Sequence, residues 1–151
     1  MATMSSYLEN YVIDTIFRGQ PMLELPNTYI GLFTEPLAAS ANSPYTTEIT
    51  GAGYSRVDIP GTLDSWTGTN YNTSGTPSIG YNGKTSNNVS ISFSLPTGNW
   101  GIANSFGIFD TATNGNLLFY GQLLNEKTIN NGDAAPLFTA NTLSFQIDNQ
   151  A

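Results

Sequence analysis

The sequence predicts a mainly β chain, an antiparallel β-sandwich or flattened barrel with one N-terminal α-helix. Three observations predict it. Val89, Ile91, Phe93 and Leu95 alternate with Ser90, Ser92 and Ser94, the period of a strand with one dry and one wet face. Leu143, Phe145 and Ile147 repeat the pattern around Ser144 and Gln146 near the other end of the chain. Short apolar runs elsewhere are separated by Gly, Pro and Asn, the punctuation of an all-β chain.

The helix comes first. Ser6 and Glu9 have the spacing of a capping box. Leu8, Tyr11, Val12, Thr15 and Ile16 then share one helical face, and Ile13 and Phe17 widen it. Arg18 suits the negative end of the helix dipole, and Gly19 and Pro21 stop the helix. A helix on a small sheet needs one apolar stripe, so the surplus here predicts a second contact.

The strands follow. Thr28 to Phe33 reads as one, with Gly31 marking a bulge or a close backbone approach. Residues 35–53 are loop-rich, and Tyr54 to Ile59 is a strand ended by Pro60 and Gly61. Asn104 to Phe109 and Asn116 to Gln122 form a hairpin with Asn114-Gly115 at its turn. Leu123 to Ile129 continues that strand or forms another, and Asn131-Gly132-Asp133 is a further turn. The expected core is Phe93, Leu95, Phe106, Ile108, Phe119, Leu143 and Phe145. The 151 residues suit one core, with residues 1–20 as the helix and 21–151 as one β domain. Residues 64–88 are expected to be a long Asn-, Thr- and Gly-rich loop or an irregular hairpin, with Asn82-Gly83 as a turn.

Composition narrows the chemistry. Charged residues are only 10% of the chain, with 4 basic against 11 acidic side chains and a net charge of −7. Arg18, Arg56, Lys84 and Lys127 are too few and too scattered to neutralise a run of phosphates, so nucleic acid is not an expected partner. No Cys and no His removes thiolate chemistry, the usual general base and the commonest metal ligands. No catalytic elbow, phosphate loop, dinucleotide fingerprint or calcium-loop spacing is present, and the carboxylates fall in no catalytic motif. The expectation is a chain with no enzymatic activity, no cofactor and no bound metal. No apolar run approaches the roughly 18 residues of a membrane span, and Met1 to Ser6 lacks the basic region of a secretory signal. Trp66, Tyr71 and Tyr81 stand among Asn70, Asn72 and Asn82. They form either a sugar-binding face or ring anchors that hold a long loop to the sheet or to a partner.

The order of the pieces carries a resemblance. Ile30 to Pro36 reads I-G-L-F-T-E-P, Gly51 to Val57 reads G-A-G-Y-S-R-V, Trp100 to Asp110 reads W-G-I-A-N-S-F-G-I-F-D, and Gly115 to Gly121 reads G-N-L-L-F-Y-G. In this order they resemble a family of small tailed-phage virion proteins, often labelled tail fibre proteins and similar to phage capsid cement or decoration proteins. The motifs are structural rather than catalytic, and residues 64–88 are longer than the family's usual connection. The resemblance implies a structural virion protein, put together in the host cytoplasm and held to a phage major capsid or tail protein. The first expectation is a cement or decoration protein on the capsid surface. The alternative is a tail fibre or baseplate adhesin that contacts host-surface glycans. Leu8, Tyr11, Val12, Ile13, Ile16 and Phe17 are expected to mediate attachment and self-association as a dimer or trimer, and Trp66, Tyr71 and Tyr81 to touch a partner or a glycan.

Overall fold

The computed structural model describes residues 2–68 and 83–147. β1 (Thr3–Met4) leads into α1 (Ser6–Phe17), followed by β2 (Asn27–Phe33) and β3 (Val57–Pro60). β4 (Lys84–Ser86), β5 (Ile91–Ser92), β6 (Gly101–Phe109), β7 (Leu117–Ile129), β8 (Leu137–Phe138) and β9 (Ser144–Gln146) complete the chain. The main sheet is antiparallel with strand order β1-β7-β6-β2-β3. β4 with β9 and β5 with β8 form two short antiparallel ribbons. The fold is therefore mainly β, as the alternation predicts. The main sheet ends in open edges at β1 and β3, so it is not a closed barrel.

The ribbons cover one face of the main sheet. Ile30, Leu32, Phe106, Ile108 and Leu118 from the sheet share a core with Ile91, Phe93, Leu143 and Phe145 from the ribbon side. Phe119 meets Phe145 at 5.0 Å between ring centres, and Phe106 meets Phe138 at 5.7 Å. A smaller cluster of Phe33, Phe109 and Leu117 forms beneath Tyr29, Leu37 and Tyr45. Strand alternation assigns the two sets: Ile30 and Leu32 join the first, Tyr29 and Phe33 the second.

Several expectations need correction. The helix is capped by Ser5, not Ser6: the Ser5 hydroxyl accepts from the Leu8 N–H at 3.2 Å. The Glu9 side chain has no cap to complete there, because the Ser5 N–H is already given to the Leu118 carbonyl at 2.9 Å. The strand expected at 89–95 shrinks to Ile91–Ser92, because its partner β8 supplies only two residues of ladder. Phe93 stays buried, but Leu95 is 65% exposed and Val89 47% exposed. Phe119 is only partly buried. The strand expected from Tyr54 begins at Val57, since Tyr54 lies in a turn closed by its N–H on the Gly51 carbonyl at 3.0 Å. The expected loop at 64–88 ends early: Lys84–Ser86 pairs with β9, and Asn87 is fully buried.

Other expectations match the fold. Gly31 is a close approach in regular register with Gly107, where an added Cβ would sit 3.0 Å from Glu48 Oε1 and 3.2 Å from the Tyr54 hydroxyl. Asn114 and Gly115 both take positive φ, 56° and 66°, as a tight hairpin turn requires. Gly19 ends the helix at φ 68°.

Candidate interaction surfaces

The residues of the four motifs are bonded to one another and to their neighbours within the fold. Arg56, whose side chain is 2% exposed, donates through Nε and Nη2 to the two carboxylate oxygens of Glu48, each at 2.7 Å. Its Nη1 donates to the carbonyls of Thr111 at 3.1 Å and Asn114 at 2.9 Å, which anchors the hairpin tip. The guanidinium also lies over the Phe109 ring. The Tyr54 hydroxyl donates to Glu48 Oε1 at 3.2 Å and accepts from the Leu32 N–H at 2.8 Å. Burial, then the neighbouring Glu48 carboxylate, pushes the Tyr54 phenol well above its ordinary value. Trp100 donates its indole N–H to the Ala52 carbonyl at 2.9 Å, and its ring lies where a side chain at Gly51 would have to go. Asp110 accepts from the Asn116 N–H at 2.8 Å and from its side-chain amide at 2.7 Å. Arg56, Tyr54, Trp100 and Asp110 of these motifs, with Glu48 beside them, are all engaged in holding the fold.

A cleft of about 540 Å³ lies beside this scaffold, between the start of α1, residues 39–45 and the hairpin end at residues 115–117. Its walls are tied together. The Ser6 N–H donates to the Ala39 carbonyl at 2.9 Å, and the Tyr45 hydroxyl donates to the Gly115 carbonyl at 3.1 Å. The Ser43 hydroxyl donates to Asn114 Oδ1 at 3.1 Å, and the Ser5 hydroxyl donates to the Leu117 carbonyl. No lining residue is charged. Burial, then the charge of Asp110, raises the Tyr7 phenol above its usual range. Sequence reasoning missed this cleft. The signal available to it was the uncharged, Ala-, Ser- and Thr-rich composition of residues 38–47.

The helix residues expected to mediate contact divide into two groups. Leu8, Tyr11 and Val12 are half-buried, with Leu8 against the main core and the Tyr11 hydroxyl donating to the Pro21 carbonyl at 2.7 Å. Ile13, Ile16 and Phe17 are 50%, 64% and 80% exposed, and Met22 beyond the helix is 72% exposed. No residue of α1 is fully buried.

Trp66 is half-buried and stands edge-on to Phe145, 5.5 Å between ring centres. It lines an apolar cavity of about 300 Å³ with Leu8, Leu25, Phe119 and Phe145. Tyr71 and Tyr81, expected beside it, lie outside the described residues, as do Asn70, Asn72 and Asn82. Among the described residues no group of three or more acidic side chains is placed to hold a metal ion, and no helix is long and apolar enough to cross a membrane.

Comparison with protein families matches residues 3–146 to the family described as Podophage GP4 fiber I protein gp80. No curated protein matches the chain.

Proposed function

The chain belongs to the Podophage GP4 fiber I protein gp80 family, and from that premise we propose that it is a tail fibre component of a tailed phage, non-enzymatic and working by contact. A phage fibre family implies association with the virion and with its other components. The observation that carries the fibre reading is the family match across residues 3–146, which takes in all four recurring motifs. The cement reading on the capsid shell has no comparable support. The absence of catalysis is supported by the use of the motif residues: Arg56, Glu48, Tyr54 and Asp110 are all committed to internal bonds.

Attachment is assigned to the outer face of α1, with a second copy of the chain as its occupant. Ile13, Ile16, Phe17 and Met22 are all at least half exposed and lie within ten residues of one another. Burying a large apolar side chain is worth roughly 1.5–3 kcal/mol, so a few such residues can sustain a symmetric contact. Antibody labelling of purified particles tests the location. Label at the tail, in tens of copies or fewer, is expected for a fibre; label spread over the head would return the cement reading. Sedimentation tests the contact. Ile13→Asp with Phe17→Asp should convert an oligomer to a folded monomer, and an unchanged oligomer removes the helix from the interface.

A further inference from the structure

We propose that the cleft between α1 and residues 39–45 is a binding site for an uncharged saccharide. The inference rests on the fibre reading for its biological setting, but its chemistry is carried by four observations.

The first is shape. A space of about 540 Å³ lies in the range of small-ligand pockets. Its walls are already fixed by bonds between Ser6 and Ala39, Ser43 and Asn114, and Tyr45 and Gly115, so little ordering remains when a ligand enters.

The second is unused hydrogen-bonding capacity. The side chains of Asn10, Ser40 and Asn42 line the cleft and make no hydrogen bond among the described residues. Each amide offers two donors and an acceptor, and a serine hydroxyl offers both roles. A sugar hydroxyl is itself both donor and acceptor, so this mixture suits a polyol better than a ligand of one polarity. Asn116 lines the same cleft and commits its amide N–H to Asp110.

The third is an aromatic wall. Tyr7 lines the cleft, is 37% exposed, and is braced by Tyr11 at 6.2 Å between ring centres. A ring with a polar tip offers an apolar surface for the C–H face of a sugar and a hydroxyl for its edge.

The fourth is charge, which selects among saccharides. No lining residue is charged, and the charge felt at Tyr7 is that of Asp110. The helix start does not form an anion cradle either. The Ser6 N–H is taken by Ala39, and the Leu8 and Glu9 N–H groups are taken by the Ser5 hydroxyl and carbonyl. Phosphorylated, sialylated and uronic sugars meet no cation here and face a chain of net charge −7. Neutral hexoses and N-acetylhexosamines meet no such penalty.

The test uses the full chain and saturation-transfer nuclear magnetic resonance. The probes are glucose-, galactose- and N-acetylglucosamine-terminated oligosaccharides, with N-acetylneuraminic acid and polygalacturonate as anionic counterparts. At least one neutral probe is expected to bind. Asn10→Ala with Asn42→Ala, and separately Tyr7→Ala, should weaken that binding on the order of tenfold, as loss of hydrogen bonds or a ring contact to a ligand does. Asn10 and Asn42 are exposed, so a thermal melt matching wild type is expected to accompany the weakened binding. Binding that survives all these changes, preference for the anionic probes, or no binding to any neutral probe would each overturn the proposal. Particle labelling judges the fibre reading separately. A tail-located protein that ignores neutral sugars keeps that reading and loses this one; a sugar binder absent from tails does the reverse.

Discussion

The guanidinium carbon of Arg56 lies 3.5 Å from the centre of the Phe109 ring, and the same guanidinium forks onto Glu48. The contact joins a residue just before β3 to the last residue of β6 and, through Nη1, to the tip of the hairpin that follows. An arginine is suited to this position because it stacks flat on a ring while its edges still donate. The cleft beside it inherits rigidity from this arrangement, since Tyr45 packs edge-on to Phe109 at 4.9 Å and bonds Gly115.

Removing Arg56 should therefore be severe. Arg56→Met is expected to cost about 3 kcal/mol or more, because it leaves the Glu48 carboxylate largely buried without its partner. Arg56→Met combined with Glu48→Leu should recover part of that loss. Urea unfolding of the two variants checks both statements. A double variant no more stable than Arg56→Met alone would deny that the stranded charge is the cause.

Tyr54 makes the fold sensitive to alkali. Its phenol ionises above the ordinary 10.0 because burial and Glu48 disfavour the phenolate. A group whose pKa is raised on folding contributes stability that is complete below its unfolded value. That contribution is lost as pH rises from about 10 toward the folded value. Thermal melts should therefore fall in this alkaline range. In Tyr54→Phe the fall should be shallower, although Tyr7 and Tyr45 are also raised and keep part of it. Equal slopes in the two proteins would assign the effect elsewhere.

Asn87 is a buried staple. Its amide donates to the carbonyls of Val89 and Thr139, both at 2.8 Å, and its Oδ1 accepts from the Leu143 N–H at 2.9 Å. These bonds hold the two ribbons to each other. Asn87→Ala removes the partner of the Val89 carbonyl and of the Leu143 N–H, each worth about 1–3 kcal/mol when buried and unsatisfied, while the Thr139 carbonyl keeps its bonds from Thr142. Equilibrium unfolding should show a loss of several kcal/mol or an unfolded chain, and a loss under about 1 kcal/mol would mean that water replaces the amide.

Phe93 and Leu95 separate by truncation. Phe93 is 3% exposed within the main core, and Phe93→Ala should cost about 3–5 kcal/mol. Leu95, at 65% exposed, should tolerate alanine within about 0.5 kcal/mol. Similar losses at both positions, read from chemical denaturation, would put Leu95 in a contact absent from the isolated chain.

Two glycines should resist side chains. A Cβ at Gly107 would sit 2.8 Å from Phe109 and 2.9 Å from Leu117, and one at Gly121 would sit 2.9 Å from Phe106. Gly107→Ala and Gly121→Ala are each expected to cost about 1–3 kcal/mol by overpacking. Thermal melts should show both below wild type.

The sequence by itself determined the class of fold, the helix and its stop, the central hairpin, the long inner strands and the family. These are local properties. Alternation needs only neighbouring residues, a helix stop needs Gly19, and the hairpin needs Asn114 and Gly115. The motifs that carry the family resemblance were legible for the same reason. Their residues are fixed in type by close packing and by bonds that few other side chains can make: Gly51 beneath Trp100, and Arg56 over Phe109.

Only the tertiary structure decided how far each strand runs and what lies between the loops. Strand length is set by the partner: β5 is two residues long because β8 is, whatever the alternation of residues 89–95 suggests. The Ser5 cap was decided at a distance, since the Leu117 and Leu118 carbonyls that bond Ser5 belong to a bulge more than a hundred residues away. Asn87 reads as one more polar loop residue until the distant backbone groups of Thr139 and Leu143 converge on it. The cleft is the extreme case. Asn10, Asn42 and Asn116 are far apart in the chain and carry no motif, and they share one space only because the sheet brings the helix, the loop and the hairpin end together.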